Sequence, residues 1–148
     1  MRLFLAAAAL SFAVACSQST AAPENTVAAV EITAPAEDTR VVAVMSYASW
    51  CGSCKALDPK VKAVQAANTF DGVEFFTIDY TDKDVDAFFA DAATIGVEAT
   101  MRDTFSEKVK TGKLYLIDLA SGDVVGTVDK SMDEAAITLA IEDAAALT

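Results

Sequence analysis

The first strong pattern along the chain is the apolar run Val41-Val42-Ala43-Val44-Met45, which shows no alternation at all. An unbroken, valine-rich run of this length predicts a central strand over residues 41–46, buried on both faces. The period then changes. A helix is expected over residues 52–68, with Ala56, Val61, Val64 and Ala67 as its inner stripe and a kink at Pro59. Residues 73–79 are β-rich and read as the next strand. Val85, Phe88, Phe89 and Ala92 recur at helical spacing, which predicts a helix from near Lys83 with Thr81 as its N-cap and both phenylalanines in the core. Residues 95–109 are irregular, with a short helix expected around 102–108. Residues 114–118 and 124–128, joined through Ala120-Ser121-Gly122-Asp123, predict a β-hairpin. A closing helix is expected over 132–147, with Ser131 as its cap and Glu134 three residues on. A first strand over 27–33 completes the order β–β–α–β–α–β–β–α, a three-layer α/β plan.

The N-terminus stands outside that plan. Met1-Arg2 is followed by an apolar stretch over residues 3–15 that is short for a bilayer span but suits the core of a signal peptide. Ala13-Val14-Ala15-Cys16 fits a small-x-small cleavage site. It also resembles the bacterial lipobox, in which the cysteine becomes lipid-modified and starts the mature chain; Ala13 stands where leucine is usual. The lipoprotein reading is preferred, because simple cleavage would leave a free thiol at Cys16 in an oxidising compartment. The expected organisation is a signal peptide over 1–15, a flexible tether over 16–26 and a folded domain over 27–148. The expected location is the periplasm or cell envelope, with a lipid on Cys16 as the membrane tether.

With 148 residues the chain is one domain's worth. Its net charge is −11; loss of residues 1–15 removes Arg2 and no acid, leaving 10 basic against 22 acidic side chains and a charge of −12. Nucleic acid and anionic lipid headgroups are poor electrostatic partners for such a surface.

The chemistry lies in Trp50-Cys51-Gly52-Ser53-Cys54-Lys55, where the predicted strand turns into the predicted helix. A helix N-terminus offers unpaired N–H groups and the positive end of the dipole, and both favour a thiolate over a thiol. A second cysteine three residues on lies beside the first and can close a disulfide with it. Cys51 is therefore the expected nucleophile and Cys54 the resolving thiol. An inert structural disulfide is the plainer alternative, but across a single turn it would constrain almost no chain. Zinc normally takes four ligands, and the chain has no histidine and no second cysteine pair, so no metal site is expected.

This motif, together with Pro59 in the following helix, resembles the thioredoxin superfamily. The likeness implies a thioredoxin-like three-layer α/β/α sandwich around a mixed sheet. Tyr47-Ala48-x-Trp50-Cys51 and Asp79-x-Thr81-Asp82 are similar to periplasmic reductase-type domains, including thioredoxin-like lipoproteins. Trp50 is expected beside the cysteines, with Gly52 and Ser53 keeping the site open. Three positions depart from the family pattern. Met45 stands where relatives carry a buried aspartate, and Thr77 where they carry a lysine. Gly112, after Thr111, stands where they carry a cis-proline; the chain has only Pro23, Pro35 and Pro59. A trans bond is expected at Gly112, and substrate pairing along Thr111 is left open.

The resemblance implies an exported thiol–disulfide oxidoreductase acting on protein cysteines, with no cofactor. The missing histidine between the cysteines argues for reduction over oxidation. A membrane thiol-electron transporter is the expected donor. The alternatives are a non-catalytic binding or chaperone module of the same fold and a Cu(I)-handling lipoprotein.

Overall fold

The computed structural model describes residues 32–148 apart from Glu107. The signal peptide, the tether, Cys16 and all but the last two positions of the first expected strand lie outside the described residues. Of those two, Ile32 packs on the core and neither it nor Thr33 is in a strand.

Strand β1 (Val41–Tyr47) is fully buried through Met45, as its unbroken apolar run requires. It lies second in a four-stranded mixed sheet, parallel to β2 (Val73–Asp79) on one side and antiparallel to β3 (Lys113–Asp118) on the other. β4 (Val124–Asp129) closes the far edge, antiparallel to β3. Because side chains alternate along a strand, β1 feeds two separate cores. Val41, Ala43 and Met45 pack under α1 (Gly52–Ala67) and α4 (Glu134–Ala146). Val42 and Val44 pack under α2 (Val85–Thr94) and α3 (Glu98–Phe105). The expected α/β/α sandwich is the observed one.

Four local expectations are corrected. The buried stripe of α1 is Cys54, Leu57, Val61 and Val64, while Ala56 and Ala67 are exposed. This phase puts the larger Leu57 and the second cysteine inside, which buries more apolar surface than two alanines would. α2 starts after Asp84, whose carboxylate accepts the Ala87 N–H at 2.9 Å; Thr81 is engaged elsewhere. α3 begins earlier than expected, so that Met101 and Phe105, four apart, share its buried face, and it ends at Ser106 with φ at 57°. α4 is capped by Asp133 at 2.8 Å from the Ala136 N–H, because the Ser131 N–H and hydroxyl both donate to Asp129. Pro59 lies inside α1, which is one helix from Gly52 to Ala67.

The site lies at the C-terminal end of β1, where the chain leaves the sheet and turns into α1. Lys60 anchors that helix from the side, donating to the carbonyls of Lys130 and Met132 at 2.8 Å each.

Candidate active site

Cys51 is the N-cap of α1. Its backbone is extended, with φ −84° and ψ 109°, and its Sγ accepts the Cys54 N–H at 3.1 Å. Serine or aspartate usually fills this role; here a sulfur does. A sulfur held against an orphan amide at the positive end of a 16-residue helix gains from being negative. The first turn of α1 contains no acidic residue to compete for that field.

Cys51 and Cys54 are joined as a disulfide, with Cα atoms 5.3 Å apart. The two sulfurs are not equivalent. Cys51 is 8% exposed and Cys54 is fully buried, so an incoming group reaches Cys51 first. Cys51 is therefore more enclosed than a fully open helix start implies. Cys54 Sγ lies 3.7 Å from the Ser46 carbonyl oxygen, which also accepts the Gly112 N–H at 2.9 Å. One carbonyl at the end of β1 thus faces the inner sulfur and tethers the start of β3.

Gly112 sits directly over the pair. A β-carbon built there would lie 3.2 Å from Cys51 Sγ and 2.6 Å from the Ser53 Cβ, and φ is +91°. The peptide bonds among the described residues are all trans. Glycine is required here both by the backbone angle and by the closeness of the sulfur. Proline, whose ring fixes φ near −65°, does not fit this backbone. Thr111 is half-buried beside it, and no hydrogen bond to another described residue engages it. Gly52 is exposed with open space around its Cα, whereas Ser53 is turned under Gly112.

Among the described residues, no buried acid or base lies beneath the sulfurs. Met45 belongs to the same apolar cluster as both cysteines, and Thr77, its partner in β2, is exposed. The buried polar side chain among the described residues is Ser46, whose Oγ has no hydrogen-bond partner. Strand alternation points it to the α2/α3 face, away from the sulfurs. Burial raises the Tyr115 phenol above its ordinary value, and that side chain also belongs to the α2/α3 core.

Trp50 is 51% exposed, yet its position is fixed. Its Nε1–H donates to the Thr81 carbonyl at 2.9 Å, and the Lys83 ammonium lies 5.3 Å from the ring centroid. Sequence reasoning placed Trp50 at the site but not Lys83, Ser46 or the carbonyl of Thr81. Only the Asp79-x-Thr81-Asp82 pattern signalled the second loop. Among the described residues, no cluster of three or more histidine, cysteine or acidic side chains could hold a metal ion. No helix among them is long and apolar enough to cross a membrane.

Residues 24–95 match the thioredoxin family model. A solved structure, that of StoA from Bacillus subtilis, is similar over 68% of this chain and 81% of that one, at 14% identity and a TM-score of 0.45. A search of curated proteins gave no match.

Proposed function

The chain carries a thioredoxin-family domain with the thioredoxin fold, and on that premise we propose that it is an exported thiol–disulfide oxidoreductase that reduces disulfides in other proteins. The contact that carries this reading is the Cys54 amide on the Cys51 sulfur, with the second cysteine buried directly behind it. That arrangement activates one thiol and holds its partner in reserve, which a disulfide serving only stability does not need.

In the reducing direction, the Cys51 thiolate attacks one sulfur of a substrate disulfide. The substrate S–S bond breaks, one substrate thiolate leaves, and a mixed disulfide forms on Cys51. Cys54 then attacks the Cys51 sulfur, the second substrate thiolate leaves, and the Cys51–Cys54 bond closes. Two electrons pass to the substrate, and its two thiolates take protons from the Cys54 thiol and from water. Thr111, at the rim, offers backbone groups to an extended substrate segment. The reducing direction rests on the residues between the cysteines, which include no histidine to stabilise the reduced form further. Export and a lipid on Cys16 place the work in the cell envelope. A membrane thiol-electron transporter supplies the electrons, since such a compartment offers no reducing pool of its own.

Equilibration of the Cys51–Cys54 pair with glutathione tests the proposal. A reduction potential near that of thioredoxin, about −270 mV, is expected. A value near about −120 mV would reverse the direction, and failure to exchange with glutathione at all would remove the oxidoreductase reading.

A further inference from the structure

Asp79 and Thr81 lie 28 and 30 positions after Cys51 in the chain, yet they reach the loop that delivers it. β2 ends at Asp79, and the Tyr80 N–H extends the ladder by one step, donating to the Tyr47 carbonyl at 2.7 Å. The Asp79 carboxylate then accepts both the Thr81 N–H, at 2.8 Å, and the Thr81 hydroxyl. A hydroxyl has one proton, and here it is committed to the carboxylate. Its remaining lone pairs accept the Ser49 N–H at 2.9 Å, while the Thr81 carbonyl accepts the Trp50 indole N–H at 2.9 Å. Residues 49 and 50 are thereby held at one backbone and one side-chain point, immediately before Cys51.

Burial does not do this holding, because Ser49 and Trp50 are both exposed. The Cys51 N–H closes a turn back on the Ala48 carbonyl at 3.0 Å, so the orientation of this loop sets the orientation of the cap. We propose that Asp79 and Thr81 are positioning residues for the reactive cysteine: they hold the Ser49–Trp50 segment so that the Cys51 sulfur stays on the amide of Cys54. Asp79 orients the Thr81 hydroxyl, and Thr81 restrains the loop. Neither touches the sulfur. This rests on the oxidoreductase reading and adds residues outside the Cys-x-x-Cys motif that control its reactivity.

The test compares Thr81→Val, Thr81→Ser and Asp79→Ala with the unaltered protein, all fully reduced, by the rate of iodoacetamide alkylation at Cys51 across pH and by thermal unfolding. Thr81→Val keeps the shape and the carbonyl but removes the hydroxyl. It is expected to slow alkylation at neutral pH by about three- to tenfold, with its pH midpoint moved upward. Asp79→Ala should do the same, and Thr81→Ser should restore the rate. Unchanged alkylation in folded Thr81→Val, or lowered thermal stability with no change in the pH midpoint, would overturn the proposal and leave the exchange chemistry standing. If the unaltered protein alkylates no faster than a cysteine peptide, the oxidoreductase reading itself fails.

Discussion

Cys54→Ser is expected to accumulate a mixed disulfide with substrate and to lose turnover by at least about a thousandfold, while its first attack proceeds. The reason is the asymmetry of the pair. Cys51, 8% exposed with an amide on its sulfur, is the more accessible of the two and the one a substrate disulfide meets first. Release of the second substrate thiol then depends on a fully buried neighbour. Serine at 54 preserves the backbone N–H that caps Cys51 but cannot attack a disulfide. Cys51→Ser should lose turnover as completely and trap nothing, since the outer sulfur is gone. Mass spectrometry of each variant after incubation with a disulfide-bonded protein such as insulin separates the two outcomes. Continued turnover by Cys54→Ser would mean that resolution comes from elsewhere. In the unaltered protein the resolving step should also limit the rate. Met45 places an apolar side chain among the sulfurs, and the one orphaned buried hydroxyl, on Ser46, faces the other core. Among the described residues, no buried acid or base stands on that side to take a proton.

Gly112→Ala is expected to cost both stability and exchange activity. The new methyl would meet the Ser53 Cβ at 2.6 Å and the Cys51 sulfur at 3.2 Å, on a backbone at φ +91°. A positive φ costs an L-residue about 1–3 kcal/mol, and the contact adds to it by forcing the loop away from the sulfur. The expected result is a loss of roughly 2–4 kcal/mol in denaturant unfolding, with exchange slowed by about tenfold or more. Gly112→Pro, which installs the residue seen at this place in thioredoxin relatives, should be worse still. It also removes the amide that donates to the Ser46 carbonyl. Full stability and activity in either variant would show that this loop does not constrain the cysteine pair.

Runs of apolar and β-branched residues made most of the sheet legible. The β2 boundaries match the structure at both ends, and the β3–β4 hairpin was readable from its turn residues. The starts of α2 and α4 were less so, and for one reason. Each lies in a run with several residues able to cap, such as Thr81, Asp82 and Asp84, or Ser131 and Asp133. Which one caps depends on what has already claimed the others. Thr81 is taken by the loop before Cys51, and Ser131 by Asp129. Local pattern cannot see a partner 32 residues away. The position of α3 was missed because Met101 and Phe105 offer only one helical repeat, too little to fix a phase.

The same limit applies to the site. Cys51, Cys54 and Trp50 are adjacent in sequence and were readable together. Gly112 was placed only by aligning its strand with a family pattern, and the structure brings it against Cys51. The Ser46 carbonyl and the Asp79–Thr81 pair left no sufficient mark. A main-chain oxygen has no residue type, and a hydrogen-bonded aspartate and threonine at a strand end serve many turns.

Among all these contacts, the amide of Cys54 on the sulfur of Cys51 is the one on which the chemistry depends. Titration of the reduced protein, following thiolate absorbance near 240 nm with Cys54→Ser to isolate the outer sulfur, measures its effect directly. Ionisation below the ordinary cysteine value of about 8.5 is the expected result. Ionisation at or above that ordinary value would mean that the helix start does not activate Cys51, and would contradict the account at its root.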